Sequence, residues 1–240
     1  MVVKTQTICL KSFPYKESSS VVSLFTKDYG LRSCIIHGGR KRNATVKSSY
    51  FQPLQKIDVV MYDKGNSALC PIKECCITAN LTNTYTNMVK VSLSMFIAEV
   101  LILSLKEGNP NETMFCFLGK TISYLNDCKE NKDLRDFHIF FLYHLACILG
   151  FNPMNNYDED NPFFDISTGT FVAIEDMKTL NKELSLLFYK FINTVKEDYT
   201  YCTENFQQRN SLLNILILFF EQHITNNRPI QSQKILHMLF

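Results

Sequence analysis

The hydrophobic repeat of this chain changes period near residue 80, and few folds accommodate such a change. Before it, apolar residues fall in short runs rich in β-branched and aromatic side chains. Thr5–Phe13 alternates, with Ile8 and Leu10 on one face. Ser20–Lys27 carries Val21, Val22, Leu24 and Phe25 and ends at Asp28-Tyr29-Gly30. Leu31–His37 sets Cys34 and Ile36 on one side, Ile35 and His37 on the other, and stops at Gly38-Gly39. Ile57–Tyr62 and Ser67–Ile77 flank Asp63-Lys64-Gly65-Asn66, a connection of hairpin length. Five short strands in about 80 residues predict a small closed sheet, best matched by an OB-type barrel.

From Asn83 onward the spacing is helical. Tyr85, Met88, Val89, Phe96, Ile97, Val100 and Leu101 predict one helix, and Met114, Phe117, Leu118, Ile122 and Leu125 a second. Leu134, Phe137, Phe141, Leu145, Ile148 and Leu149 predict a third. It stops at Gly150 with Pro153 beyond, a helix C-terminus signal. Leu184–Val195, Leu212–Thr225 and Gln233–Phe240 complete the set. Wide apolar faces imply that these helices pack as a bundle. The predicted class is therefore α+β, with a barrel over 1–80 and an all-α domain over 81–240. Residues 152–176 interrupt the bundle, and Phe163, Phe164, Phe171 and Val172 predict a small hairpin there.

Charge divides at the same place. Residues 1–80 hold 12 Lys and Arg against 5 Asp and Glu, a net of +7; residues 81–240 hold 13 against 18, a net of −5. A cationic module attracts polyanions, nucleic acid above all, although a solvated basic face has the same charge. No apolar run reaches the roughly 18–20 residues that a membrane helix needs. Lys4, Gln6 and Lys11 break any secretory core near Met1. The expectation is a cytoplasmic protein without membrane contact, its nine scattered cysteines reduced.

Gly30–Tyr50 carries the most specific chemistry. Arg40, Lys41 and Arg42 leave a turn made tight by Gly38 and Gly39, with Arg32 and Lys47 on or beside it. Tyr50 and Phe51 come next as possible stacking faces. Cations that track phosphates beside aromatic platforms suit sequence-tolerant single-strand binding. An exposed basic hairpin that binds nothing is the alternative.

Other chemistries are poorly supported. The turn lacks the spacing of a nucleotide-hydrolysing phosphate loop. His138 and His144 lie on different helix faces, so they cannot share a metal. Ser18-Ser19-Ser20 has no nucleophile-elbow context. Asp158-Glu159-Asp160 could hold a divalent cation, with a metal-dependent nuclease as the rival it would imply together with Asp165, but an acidic loop run is usually just solvated. No catalytic residue, cofactor or metal site is predicted.

The order of these segments resembles the RecO family of bacterial DNA repair and recombination mediators along nearly the whole chain. Val21-Val22-Ser23-Leu24-Phe25-Thr26-Lys27-Asp28-Tyr29-Gly30-Leu31 is followed by Gly38-Gly39-Arg40-Lys41-Arg42 and Gln52-Pro53-Leu54. Leu149-Gly150-Phe151-Asn152-Pro153 is similar to the family's bundle-helix ending. Phe220-Glu221-Gln222-His223-Ile224, then Ile230-Gln231-Ser232, resembles its C-terminal region. Many relatives hold zinc with four cysteines after the Leu-Gly-Phe-x-Pro segment. Here Met154–Asp176 contains none, so packing must hold that segment, and any partner contact made through the zinc module is not implied.

The resemblance implies an N-terminal OB-fold, a C-terminal helical domain and no covalent turnover. It implies binding of single- and double-stranded DNA, annealing of complementary strands, and engagement of RecR and the single-strand-binding protein, so that RecA is helped to load. By position, Arg40, Lys41 and Arg42 are the DNA-contact candidates, with Arg32 and Lys47 beside them. Arg135 is a candidate cation for the acidic tail of a partner. The main alternative is an OB-fold RNA-binding or translation-associated module, which shares the basic barrel but would not anneal DNA.

Overall fold

The structure, a computed structural model, describes residues 1–64, 68–195 and 203–239. Five strands close a barrel in the order β1-β2-β3-β5-β4. They are β1 (Val2–Tyr15), β2 (Ser19–Thr26), β3 (Gly30–Ile36), β4 (Lys56–Tyr62) and β5 (Cys70–Ile77). Every pairing is antiparallel except β3 with β5, whose parallel contact completes the closure. This is the OB-type arrangement expected. The β4–β5 connection at Asp63-Lys64-Gly65-Asn66 lies partly outside the described residues.

Alternation explains the barrel only up to Cys9. Val3, Cys9, Val22, Leu24, Cys34, Ile36, Ile57, Val59 and Met61 fill its interior. Ile8 is equally buried but pairs with Phe25 on the other face. There the Phe25 ring lies 6.1 Å from Phe115 of a covering helix. Between Cys9 and Lys11 the register shifts, leaving Leu10 as an extra residue. Such a bulge re-aims the rest of the strand. Lys11, Phe13 and Tyr15 now oppose Ser23, Val21 and Ser19, on the face away from interior-facing Val22 and Leu24.

The barrel leads into three helices: α1 (Thr82–Tyr85), α2 (Met88–Ser104) and α3 (Glu112–Asp127). The single helix expected from Tyr85 to Leu101 is broken because Asn87 caps a new one. Its side chain accepts from the amides of Val89 and Lys90. Asn87→Ala should cost about 1 kcal/mol, the usual worth of an N-cap, seen as a lower denaturation midpoint. Lys90, buried in α2, donates to the Asn126 carbonyl at 2.9 Å and satisfies the end of α3. Tyr85 Oη donates to Pro53 O, and Lys56 Nζ to Gly119 O. These bonds, and the approach of Asn109 to Gly30, tie α1–α3 to the barrel. A Cβ on Gly30 would come within 2.5 Å of the Asn109 backbone, and its φ is +67°. Met1–Asp127 therefore forms one compact unit and Cys128–Phe240 another, so the unit boundary does not coincide with the change from strands to helices.

The second unit is built on α4 (Phe137–Ile148), α5 (Lys182–Thr194), α6 (Phe206–His223) and α7 (Gln233–Leu239). The helix expected from Leu134 starts only at Phe137, after a 3-10 turn at Asn131–Leu134. The one expected from Leu212 starts six residues earlier, where Asn205 accepts from the Gln208 amide. Gly150, at φ +87°, ends α4, with Phe151 N donating to Ala146 O and Gly150 N to Cys147 O. Only a residue tolerant of the left-handed region closes a helix in this way.

The insertion holds a hairpin of β6 (Phe163–Asp165) and β7 (Thr170–Val172). Phe164 packs at 5.0 Å from Phe171 and 4.7 Å from Phe188. Asn156 brackets Phe171, donating to its carbonyl and accepting from its amide, both at 2.9 Å. Aromatic packing and turn hydrogen bonds thus hold this segment. Phe163 is only half-buried. The eight cysteines among the described residues are free thiols. Cys202 lies outside the described residues.

Candidate nucleic-acid interface

The basic segment after β3 is shaped by hydrogen bonds to a turn distant in sequence. Arg40 N donates to Ser18 O at 3.1 Å. Its guanidinium donates to the carbonyls of Lys16 and Glu17. Ser48 N donates to Gly39 O at 2.9 Å, and the Ser20 and Ser48 hydroxyls meet at 2.8 Å. A Cβ on Gly39 would strike Ile36 and Ser48 within 2.6 Å, so glycine is required for this approach. Val46 anchors the far side of the loop in the barrel core.

This network joins the β1–β2 turn to the loop over 38–48. It brings Lys16, Lys41, Arg42 and Lys47 to one end of the barrel, all exposed. None of the four makes an ion pair among the described residues. Glu17 is the one acid in the joined turns. Arg40, expected to contact DNA with its neighbours, has its guanidinium engaged by backbone carbonyls and is the clamp that positions them.

Arg32 is not part of this group. It is 7% exposed, pairs with Asp63 at 3.4 Å and lies 5.9 Å from the Tyr29 ring. A cation buried in that way joins β3 to the residue after β4 and is closed to phosphate. Of Phe51 and Tyr50, both expected as stacking faces, Phe51 is closed to bases and Tyr50 is half-buried. Phe51 is 1% exposed in the barrel core, and Tyr50 packs against that core. Lys56 is half-buried, and burial lowers its pKa.

Two exposed rings lie at the end of β1. Phe13 is 41% and Tyr15 38% exposed. Lys11 Nζ sits 5.9 Å from the Phe13 ring centroid and Lys16 Nζ 5.4 Å from that of Tyr15. The run Lys11-Ser12-Phe13-Pro14-Tyr15-Lys16 has this alternation in sequence, but only the bulge at Leu10 turns it outward.

In the second unit, Arg135 is exposed beside the 3-10 turn, its Nε donating to Lys132 O at 3.1 Å. A groove of 670 Å³ runs between α5 and the start of α6. Leu184, Leu186 and Leu187 supply its apolar lining, Lys190 a cation, and Glu183 and Glu204 the opposite charge; Arg135 does not line it. Asp158, in the acidic run, accepts from the amides of Asp160 and Asn161. Among the described residues no three His, Cys, Asp or Glu side chains gather in a way that could hold a metal ion. No helix among them is long and apolar enough to cross a membrane.

Comparison with known proteins agrees with this architecture. Residues 1–81 match the family model "Recombination protein O N terminal", and residues 85–158 match "Recombination protein O C terminal". The DNA repair protein RecO of Christiangramia forsetii is 29% identical over 243 residues, covering both chains completely. That of Flavobacterium johnsoniae is 28% identical over 241 residues, again with both chains covered. That of Bacteroides fragilis is 30% identical over 174 residues, 72% of this chain and 71% of the relative.

Proposed function

Because the chain belongs to the RecO family of DNA repair proteins, we propose that it acts on DNA directly, through the cations gathered at the joined turns of its barrel. Lys41, Arg42 and Lys47 take phosphates, with Lys16 beside them. Arg40 holds the turns together, and Arg32 has a structural part. Residues 1–80 are in this reading the nucleic-acid-binding OB domain. Residues 81–240 supply the helices, those up to Asp127 packed with the barrel and those from Cys128 onward forming the second unit, with an insertion over 152–176 in place of a zinc module.

The activity is annealing of complementary single strands, without turnover of a covalent bond. Two polyanionic strands repel each other. A surface that neutralises phosphates on both lets the bases sample pairing with less repulsion. In the cell the partners are RecR and the single-strand-binding protein, and the outcome is easier loading of RecA onto coated single strands. Arg135, exposed on the second unit, is a candidate cation for a partner's acidic tail.

The observation that carries this reading is the Arg40 clamp, which concentrates four exposed cations at one end of the barrel. It is tested by following fluorescently labelled complementary oligonucleotides as they pair, with and without a metal chelator. Annealing should accelerate equally in both and slow as salt rises. No acceleration by folded protein would defeat the proposal, and preferential binding of RNA would favour the translation-associated alternative.

A further inference from the structure

The end of β1 has features that phosphate binding leaves unexplained. β4 pairs with β1 only as far as Ile8, so Lys11–Tyr15 is paired with β2 along one edge alone. An exposed strand end of this kind is usually kept polar. Here Phe13 and Tyr15 stand two residues apart on the outward face, the spacing that puts strand side chains on the same side. Each ring has a lysine ammonium within 6 Å of its centroid. Solvent-exposed cation–π contacts of this type are weak, so they yield readily to a stronger partner. The Arg40 clamp fastens the carbonyls of Lys16 and Glu17, directly after Tyr15, to the basic loop. The rings at the end of β1 are thereby linked, through the turn that follows them, to the loop that carries the phosphate-seeking cations.

We infer that Phe13 and Tyr15 are a base-stacking platform, so that this end of the barrel selects single-stranded nucleic acid by its unpaired bases. The inference rests on the proposed DNA-binding reading and deepens it. The occupant is argued from the chemistry around the rings. Lys11 and Lys16 flank them, and Lys41, Arg42 and Lys47 continue the positive charge. An apolar protein partner would need no such cations. Bases in a duplex are stacked on one another and cannot cover a protein ring, whereas a single strand can place successive bases on Phe13 and Tyr15 and its phosphates on the lysines. Stacking of this kind tolerates any base, because every base has a π-face.

The chain has no tryptophan, so Tyr15→Trp introduces a single indole emitter at the platform. Its fluorescence should be quenched by an oligothymidylate of about 15 nucleotides. An abasic phosphodeoxyribose strand of the same length should bind without quenching. In parallel, the full-length Phe13→Ala/Tyr15→Ala variant should lose roughly thirtyfold or more in affinity for the oligothymidylate, given two stacked bases. Its affinity for the abasic strand and for duplex should change by less than about twofold, since the phosphate contacts are untouched. Phe13→Tyr/Tyr15→Phe should retain the parent's behaviour, and circular dichroism checks the fold. Equal losses on all three ligands, or unchanged oligothymidylate affinity in the folded alanine variant, would overturn the inference while leaving DNA binding intact. A parent protein that binds none of the three would overturn the DNA-binding reading itself, and this inference with it.

Discussion

Phe141→Ala should destabilise the second unit by about 3–5 kcal/mol, the range for removing a fully buried phenylalanine ring. Phe137, Phe141 and Leu145 follow one stripe of α4, and all three are buried. The ring occupies the middle of a helix whose neighbours Phe140 and Leu142 are equally inaccessible, so no edge of the site opens to water. A cavity at such a position collapses only partly, and the packing lost adds to the transfer free energy. A folded domain has only about 5–15 kcal/mol in hand, so the variant should be close to unfolding at moderate temperature. The check is the denaturant midpoint of parent and variant, followed by a signal from the second unit. Phe141→Leu should recover most of the loss, because it restores much of the volume. A variant midpoint equal to the parent's would show that this ring contributes nothing to the core.

The legibility of that helix contrasts with what was hidden at the basic end. Helices α2 to α6, the five strands and the hairpin at Phe163–Val172 follow from local periodicity and turn chemistry, which a linear sequence displays. Gly150 likewise announced the end of α4. The single helix expected across Tyr85 and Met88 failed for a local reason, the cap at Asn87, whose residue type alone does not distinguish a cap from a helix interior. The bulge at Leu10 left no such sign. It depends on how β1 is shared between β2 and β4, and it decides that Phe13 and Tyr15 face outward.

At the candidate site, composition singled out a basic segment but could not show which of its cations are free of protein partners. Arg32, Arg40, Lys41, Arg42 and Lys47 look alike in a string of residues. What separates them is long-range. Arg32 meets Asp63, 31 positions away, and Arg40 meets Lys16 and Glu17, 24 and 23 positions away. Tyr50 and Phe51 come after the basic turn in sequence, yet the second packs inside the barrel because the loop must be anchored there. Aromatic residues near cations are therefore a weak sign of a stacking surface until their burial is known. The grouping of α1–α3 with the barrel was hidden for the same reason. It rests on long-range contacts, such as the packing of Phe25 against Phe115 and the hydrogen bonds of Lys56 to Gly119 and Tyr85 to Pro53.

The different duties of these cations predict different salt responses. Lys41, Arg42 and Lys47 are exposed and outside any ion pair among the described residues. In the proposed reading each neutralises one phosphate and releases condensed counterions, worth about 0.7 in the slope of log affinity against log salt for single strands. Replacing all three with alanine should therefore flatten that slope by about 2 units. If parent and variant converge near 1 M salt, the variant should bind roughly 500-fold more weakly at 50 mM. Its fold should survive, because exposed substitutions away from special contacts usually change stability by less than about 0.5 kcal/mol. Arg40→Ala should behave otherwise. It removes hydrogen bonds to two backbone carbonyls, so it should lower stability by about 1 kcal/mol and move the slope by less than one phosphate equivalent. Affinity for an oligothymidylate, measured at several salt concentrations for the parent and both variants, separates the two roles. A triple variant that stays folded and keeps the parent's slope would remove the joined turns from the interface. A large slope change in a folded Arg40→Ala would mean either that the other cations take phosphates only while the clamp gathers them, or that its guanidinium itself takes a phosphate.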